Sequence, residues 1–487
     1  MKYSYIVIWL GYMAKNSYIC KNLETHTTMR IRLHHLAIIL TLLISACSKD
    51  ITPQSRPEPV PEPVPESKRT YTIMFYCCGG ELDKYNEGVI DIYHLMDTGI
   101  AENINVVGQI KWSEGYNSEN SDGKGGVSRL KYDHKSNRNI YSKFADAEYD
   151  MNCAESLAEF IKWAKEEAPA DEYIMIFAGH GNGYHPAFDR NDTRGIIRDD
   201  KLTSYLGIQD ICQACEMTNT HFSLMEMVCC LVNCLEYASE LAPYVDYYLA
   251  SCHVTTISGG ELYYITEALM QMEEYDARSI ADCAKSLVDM TYDYYEDPKM
   301  YMTIATEHSV TECSKVDNIN EAIRSFVDKV VALYDTELEI GRETMRERYG
   351  FTTEDIDNAL SESYYPVLAT FSEDYMKRVE WYRLNYMHEI VDIAYRVAEA
   401  TLDTDIYATA ESIRNASEEA IYHQRAINIE SVDKMYYTVT LVNKYQYESL
   451  GYAEGGYEET AFDRATGWSR LLKRNNGVYV HSQHKDN

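Results

Sequence analysis

The sequence has 487 residues, a length that predicts two or three domains at roughly 100–200 residues each. A hydrophobic fraction of 45% and a charged fraction of 25% are typical of a globular protein and exclude a disordered chain. The 77 acidic residues exceed the 45 basic residues and give a net charge of −32. Because such a surface repels phosphate groups, the composition argues against a nucleic-acid partner.

An apolar run near the N-terminus has the layout of an export signal. It follows Met29 and ends in Ile-Ser-Ala at residues 44–46, directly before Cys47. Small residues before a cysteine resemble the lipobox of bacterial lipoproteins, whose cysteine is lipidated after the chain is cut in front of it. We therefore predict a lipoprotein signal peptide at residues 29–46, with Met29 as the true start and residues 1–28 as an upstream extension. The alternative is a plain secretory signal in which Cys47 has no role.

A proline-rich segment follows Cys47. Residues 57–65 carry proline at every second position, which prevents helix and sheet formation and favours an extended polyproline II spacer. We predict that residues 47–69 form a lipidated anchor and a stiff tether, which hold a globular domain away from a membrane.

From residue 70 the sequence alternates between strand and helix patterns. The predicted strands are residues 72–76, 105–110, 173–178, 222–228 and 247–251, and the predicted helices are residues 152–165 and 231–241. This alternation predicts an α/β domain over residues 70–297, with a mostly parallel sheet covered by helices on both faces. Residues 298–487 are predicted to be a largely helical region with a short strand segment at residues 435–442.

Two residues with catalytic chemistry follow predicted strands. His180 comes after the strand at 173–178, between glycines, and Cys230 comes after the strand at 222–228. In parallel sheets, active sites collect at the carboxyl ends of the strands. A helix that starts at Cys230 would favour the thiolate, and a neighbouring imidazole would complete a Cys/His dyad for acyl transfer. The alternative is that each residue is structural.

The segments around both residues resemble those of the clostripain-like cysteine peptidases. Residues 168–181, APADEYIMIFAGHG, resemble the family's histidine segment, in which PADxY leads into a strand that ends in His-Gly. Residues 227–232, MVCCLV, followed by Glu236, are similar to the nucleophile segment FDACLM…E. Further similar segments are YxCGxxL at 76–82, LxxFIxWA at 157–164 and RxIxxDD at 194–200. The resemblance covers residues 70–265, with weaker similarity at residues 457–472.

This resemblance implies a caspase-like α/β fold with a largely helical C-terminal region. It implies that Cys230 is the nucleophile, that His180 is its base, and that peptide bonds are cleaved through an acyl-enzyme. The backbone N–H groups of Gly181 and Cys230 are the expected oxyanion donors. Cys229 is the rival nucleophile, but a shift of one residue breaks the match with Glu236.

The sequence departs from the family where basic substrates are recognised. The family commonly has Asp two residues before the nucleophile, and here that residue is Val228. The acidic residue that often follows the serine of the next strand is also missing, because Ser251 is followed by Cys252. We expect Val228 and Ser251 to contact substrate, without a preference for Arg or Lys. A non-catalytic surface lipoprotein that binds peptides with a retained peptidase fold is the alternative function.

Family members are often matured by self-cleavage and assisted by calcium. Basic residues between the two dyad residues are candidate cleavage sites: Arg190, Arg194, Arg198 and Lys201. The chemistry itself needs no cofactor. Four aspartates offer oxygen to Ca²⁺ or form a solvated acidic loop, without EF-hand spacing: Asp189, Asp192, Asp199 and Asp200. The expected partners are a peptide or protein substrate and a lipid membrane, in a bacterial cell envelope.

Overall fold

The computed structural model describes residues 69–78, 82–83, 99–181, 183–184, 196–199, 201–202, 204–255, 261–271, 277–296, 306–350, 352, 387–427, 436–442, 444–449, 451–453 and 456–474. The predicted signal peptide, Cys47 and the tether lie outside these residues. So do five of the candidate calcium-binding and cleavage residues: Asp189, Arg190, Asp192, Arg194 and Asp200. Within the described part of the chain, no helix combines the length and apolarity needed to cross a bilayer.

The strands of the described residues assemble around one large sheet. They are β1 Tyr71–Cys78, β2 Ile104–Lys111, β3 Glu114–Asn117, β4 Asp122–Lys124, β5 Val127–Asp133, β6 Arg138–Ala145, β7 Glu172–Ala178, β8 Ile196–Asp199, β9 Ser204–Leu206, β10 Phe222–Val228, β11 Val245–Ala250, β12 Thr306–Glu312, β13 Met387–Glu389, β14 Ile421–Ile427 and β15 Thr438–Thr440. The large sheet has the order β14-β12-β11-β10-β7-β1-β2-β5-β6. Its central strands β2, β1, β7, β10 and β11 are parallel, and two antiparallel strands extend it on each side. The prediction of a mostly parallel α/β sheet is confirmed.

The central strands are buried on both faces, which explains their near-continuous apolar sequences. All eight residues of β1 are buried, and β7 and β10 are buried at nearly every position. Met225 and Met227 of β10 belong to the main hydrophobic core. Strand alternation directs Leu224, Glu226 and Val228 to the opposite face.

The described helices cover this sheet. They are α1 Ala154–Glu167, α2 Ile208–Thr218, α3 Leu235–Leu241, α4 Glu261–Gln271, α5 Ala277–Tyr295, α6 Val316–Tyr349, α7 Ile390–Thr401, α8 Thr404–Ala420, α9 Lys444–Ser449, α10 Ala461–Thr466 and α11 Ser469–Leu472. In α1, Leu157, Ile161 and Ala164 form a buried stripe, as their spacing predicts.

Residues from beyond position 298 take part in the same sheet. Strand β12 pairs with β11, and β14 pairs with β12, both antiparallel. Strands β13 and β15 form a separate two-stranded sheet, which we call the C-terminal ribbon. Residues on both sides of position 298 belong to one compact unit, so this region contributes to the architecture around the strand ends.

Candidate active site

Two neighbouring parallel strands, β7 and β10, end at the same level of the sheet. Ala178 and Val228 are register partners, and the Gly179 N–H donates a hydrogen bond to the Val228 carbonyl oxygen at 3.4 Å. His180 and Cys230 each lie two residues beyond this pair. Because neighbouring strands are about 4.8 Å apart, the structure brings together at one sheet edge the two residues that the sequence selects.

The two adjacent cysteines differ in accessibility. Among the cysteines in the described residues, Cys230 alone is not buried, whereas Cys229 is 0% exposed. Burial raises the pKa of the Cys229 thiol far above that of an ordinary cysteine. Burial also raises the pKa of Cys230, while hydrogen bonds from the backbone N–H groups of Thr255 and Gly181 oppose that rise. Cys230 therefore offers the more accessible sulfur.

The structure corrects the prediction that a helix starts at Cys230. Helix α3 begins at Leu235, and Cys234 precedes it as the N-cap residue. Residues 229–234, which we call the nucleophile loop, are not helical, and Leu231 has φ = 63°. This left-handed conformation costs a non-glycine residue roughly 1–2 kcal/mol. The N-terminus of α3 therefore does not lie at Cys230, where it would favour the thiolate.

Hydrogen bonds from neighbouring elements hold the nucleophile loop. The Leu231 N–H donates to the His253 carbonyl at 2.8 Å, and the Asn233 N–H donates to the Ser251 carbonyl at 2.9 Å. The Thr255 hydroxyl donates to the Cys229 carbonyl at 2.9 Å. These contacts stabilise the strained backbone at Leu231, as expected where strain is retained at a functional site.

Gly181 allows the segment after β7 to approach the nucleophile loop closely. We call residues 179–181 the histidine loop. A Cβ atom at position 181 would lie 2.7 Å from the Cys230 nitrogen and 2.8 Å from the Cys229 Cβ. Only glycine fits this approach, which brings the Gly181 amide beside the Cys230 sulfur.

A β-hairpin, β8–β9, packs against the histidine loop. The Ile197 N–H donates to the His180 carbonyl at 3.2 Å, and Ile196 forms a β-bridge with Gly181. Ile197 has φ = 56°, which is a genuine outlier for a β-branched residue. The His180 side chain itself is exposed, so a substrate can reach its imidazole.

A buried ion pair anchors this hairpin to the sheet. The Lys111 ammonium at the end of β2 donates to the Asp199 carboxylate, and the two side chains are 4% and 3% exposed. Lys111 also donates to the Tyr149 carbonyl at 2.7 Å. Asp199 accepts from the N–H groups of Lys201 at 3.0 Å and Leu202 at 3.1 Å. The carboxylate oxygens of Asp199, which the sequence offered as calcium ligands, therefore accept hydrogen bonds from Lys111, Lys201 and Leu202.

The two residues expected to contact substrate lie side by side in neighbouring strands. Glu226 pairs with Leu249, so Val228 and Ser251 are level, two residues farther along. Val228 is half-buried and apolar. Ser251 is 0% exposed, and its hydroxyl oxygen accepts a hydrogen bond from the His253 N–H at 3.0 Å.

No group of three or more His, Cys, Asp or Glu side chains that could hold a metal occurs within the described ranges. Of the candidate cleavage residues in those ranges, Arg198 is exposed and Lys201 forms an ion pair with Glu148 at 3.0 Å. Sequence reasoning missed Thr255 and Ile197, whose backbone groups contact the loops that carry the dyad residues. Such long-range backbone contacts leave no local sequence signal.

Comparisons with known proteins identify a family for the chain and solved structures of similar fold. The family model described as the clostripain family, Peptidase_C11, matches residues 104–475. A secreted C11 cysteine protease from Bacteroides thetaiotaomicron, solved with an irreversible peptide inhibitor, is 13% identical with a TM-score of 0.54, covering 82% of this chain and 99% of its own. An inactive zymogen C11 protease from Parabacteroides distasonis is 12% identical with a TM-score of 0.53, covering 83% and 99%. No curated protein matches the sequence.

The large sheet and the similar solved structures show a caspase-like α/β fold, and the family match makes the chain a cysteine peptidase. The chain belongs to the clostripain family, whose model spans residues 104–475. Its substrates are therefore peptides or proteins. The solved structures share its fold at low sequence identity, so the roles of individual residues rest on the geometry described above.

Proposed function

We propose that this chain is an exported, membrane-anchored cysteine endopeptidase that cleaves peptide bonds with Cys230 as nucleophile and His180 as base. The observation that carries this proposal is the register of β7 and β10, which pairs Ala178 with Val228. That register sets His180 and Cys230 side by side at the strand ends. The accessibility of Cys230 among otherwise buried described cysteines supports the same assignment.

The raised pKa of Cys230 makes a base necessary. Because burial favours the neutral thiol, His180 takes the thiol proton as the sulfur attacks the substrate carbonyl carbon. The tetrahedral intermediate then breaks the C–N bond, and His180 gives the proton to the leaving amine. Water attacks the resulting thioester, again with His180 as base, and releases the acid product and the Cys230 thiol.

The backbone N–H groups of Gly181 and Cys230 are the proposed oxyanion donors. The close approach at Gly181 supports this role, since it brings that amide beside the attacking sulfur. Two convergent amides would stabilise the developing negative charge without reorganisation.

We propose that Val228 forms the floor of the pocket for the P1 side chain, and that Ser251, which is fully buried beside it, supports this floor from the neighbouring strand end. Val228 presents apolar surface, and a cation placed against it would be desolvated without a partner. The enzyme should therefore prefer neutral or apolar P1 residues. Ser251 would shape this floor through the turn that its hydroxyl closes with His253.

The anchor is proposed at Cys47, supported by the apolar run and small residues that precede it and by the proline-rich tether that follows. A structural neighbour described as secreted supports export. The Cys47→Ala chain should no longer partition into detergent. Unchanged partitioning would rule out lipidation at this residue. Calcium assistance is a further proposal, to be tested by comparing turnover with and without a chelator.

A peptide-based electrophilic ketone tests the catalytic assignment. We expect it to modify Cys230, and we expect Cys230→Ala and His180→Ala each to abolish hydrolysis. Members of a nucleophile–base unit fail together, so the double variant should be no worse than either single variant. Cys229→Ala is the matched control and should retain substantial activity. If the chain binds peptides but never turns them over, the non-catalytic lipoprotein is correct instead.

A further inference from the structure

Glu236 is a fully buried carboxyl group on α3, the helix that follows the nucleophile loop. It is 0% exposed. Its Oε1 atom accepts hydrogen bonds from the Thr440 N–H at 2.8 Å and from the Tyr457 hydroxyl at 2.9 Å. Both donors come from more than two hundred residues farther along the chain. Burying a carboxyl group costs free energy unless hydrogen bonds or a charge partner compensate it. The bond from Thr440 links Glu236 to the C-terminal ribbon.

The C-terminal ribbon touches the nucleophile loop on one side. The Thr438 N–H donates to the Asn233 carbonyl at 3.2 Å, and Cys234 forms a β-bridge with Thr438. The Asn233 side-chain amide donates to the Tyr436 carbonyl at 3.3 Å and to the Ser309 hydroxyl at 2.7 Å. The end of the nucleophile loop is therefore paired with the ribbon as one strand with another.

The same ribbon touches the chain that follows His180 on its other side. Met387, the register partner of Thr440, lies so close to Gly183 that a Cβ there would be 3.0 Å from the Met387 Cγ. Tyr184 is buried, and its ring packs edge-to-face against the Tyr457 ring, with the two ring centroids 5.7 Å apart. The two donors to Glu236 thus reach the segment that follows the histidine loop. Tyr457 contacts Tyr184 directly, and Thr440 reaches Gly183 through Met387.

We propose that Glu236 is a positioning residue for the peptidase reaction: it fixes the C-terminal ribbon, and the ribbon holds the two loops that carry His180 and Cys230 in their mutual geometry. This inference rests on the proposed function. Trp468 supports it, because its indole N–H donates to the Thr440 carbonyl at 2.6 Å. Thr440 is therefore held on both sides, by Glu236 through its N–H and by Trp468 through its carbonyl.

Glu240 supplies a matched control one helical turn farther from Cys230. Its carboxylate accepts a hydrogen bond from the Ala461 N–H at 2.8 Å. Glu240 thus ties the same helix to α10, and within the described residues its side chain makes no hydrogen bond to the C-terminal ribbon. Either substitution would weaken the packing of α3 against the C-terminal region. Only substitution of Glu236 should change how the loops that carry His180 and Cys230 lie relative to each other.

The test compares Glu236→Ala, Glu236→Gln and Glu240→Ala in the full chain, well below each melting temperature. We expect Glu236→Ala to lower kcat/KM about 100-fold, mainly through kcat, since a misplacement of ~1 Å costs about that much. Labelling of Cys230 by a peptidyl ketone should slow equally, whereas alkylation by iodoacetamide, which needs an accessible thiolate but no bound substrate, should change less than about threefold once each rate is corrected for the thiolate fraction that its pH profile gives. Glu236→Gln, whose amide oxygen accepts both bonds, and Glu240→Ala should remain within about fivefold of the parent.

A folded Glu236→Ala chain with parental kcat/KM would overturn the proposal, as would an equal loss in Glu240→Ala. Should Glu236→Ala fail to fold, Tyr457→Phe removes one donor while keeping the ring against Tyr184. It should slow ketone labelling several-fold in the parent and by a similar factor in Glu236→Gln, because the Gln amide oxygen still accepts the bond that Tyr457 donates. A folded Tyr457→Phe chain that the ketone labels at the parental rate would contradict the proposal. If the parent shows no Cys230-dependent turnover, the proposed function fails, yet the ratio of the two labelling rates still tests Glu236.

Discussion

The histidine loop and the nucleophile loop lie side by side but are held by different interactions. The histidine loop packs on the β8–β9 hairpin, which the Lys111–Asp199 ion pair ties to the sheet. The nucleophile loop packs on elements from the far end of the chain, through backbone pairing and neutral hydrogen bonds. The histidine loop thus depends on a buried charge pair. The nucleophile loop depends on backbone pairing and on hydrogen bonds between uncharged groups.

Each loop includes or contacts one strained backbone residue that its surroundings must stabilise. Leu231 lies within the nucleophile loop, and Ile197 donates to the His180 carbonyl. Both are bulky residues in a left-handed conformation, which persists only where the environment over-determines it. A substitution that weakens the contacts around Ile197 should therefore affect mainly the histidine loop, and one that weakens the contacts around Leu231 should affect mainly the nucleophile loop.

The largest effect should come from breaking the ion pair. Asp199→Asn leaves the Lys111 ammonium buried without its counter-charge, and removal of one partner of a buried pair costs about 3–5 kcal/mol. Denaturant unfolding should show this loss of stability. Asp146→Asn, at the exposed Lys143–Asp146 pair, is the control and should change the stability much less, because solvent screens that pair. A similar small change at both sites would mean that the ion pair does not hold the hairpin.

Filling the space between the two loops with an added methyl group should have the next largest effect, which is a loss of activity. A methyl group in Gly181→Ala must displace the Cys230 backbone or the Cys229 side chain, and a shift of ~1 Å at the reacting groups costs about 100-fold in rate. Gly207→Ala is the control, since its nearest neighbour would be the flexible Asp210 carboxylate at 3.2 Å. Measured kcat/KM should separate the two variants. Full activity in Gly181→Ala would show that the loops are farther apart during catalysis.

The third effect concerns the strand ends beneath the loops, where Val228 faces its partner Ala178. Val228→Asp would place a carboxylate at the proposed P1 pocket, and a charge-assisted hydrogen bond there is worth about 1.5–3 kcal/mol. Relative kcat/KM should shift about 10- to 100-fold toward Arg or Lys at P1 on a library of P1-varied peptides. A parent enzyme that already cuts strictly after basic residues would contradict this pocket assignment.

The histidine side of the site could be predicted from sequence because its signals are local. The strand before His180, the glycines around it and the helix α1 all follow from periodicity and turn chemistry. The same reasoning identified Cys230 but placed a helix there, because a run of apolar residues after the strand fits helical spacing. The strained turn at Leu231 depends on hydrogen bonds from His253 and cannot be read from that run.

The C-terminal contribution could not be predicted for a related reason. Strand β12 reads TEHSVTE, which is largely polar, yet six of its seven residues are buried. Its Glu307 and His308 are buried through partners in other elements. Likewise, the bond between Thr440 and Glu236 joins residues 204 positions apart. Pairing over such distances is set by the whole fold, and no local pattern encodes it.

The smallest expected effect is a pH dependence confined to the nucleophile side. Glu307 is fully buried, and its carboxyl accepts hydrogen bonds from the Cys252 N–H at 2.9 Å and from the Gln424 amide at 2.9 Å. Burial raises the pKa of Glu307 to about 7. Its titratable neighbours Cys252, Tyr292 and Tyr437 have pKa values raised by burial, so they stay protonated near neutral pH.

The sign of this dependence follows from proton binding. An unfolded glutamate ionises near about pH 4.3, so between that value and about 7 the folded chain holds an extra proton at Glu307. Its contribution to stability is complete below the unfolded pKa and is lost as pH rises through about 7. Glu307→Gln should therefore reduce the fall in melting temperature between about pH 5 and 8, by about 2–4 °C. Glu312→Gln, on the same strand but paired with Lys315 near the surface, should leave that slope unchanged, and equal slopes in Glu307→Gln and the parent would show that Glu307 does not titrate there.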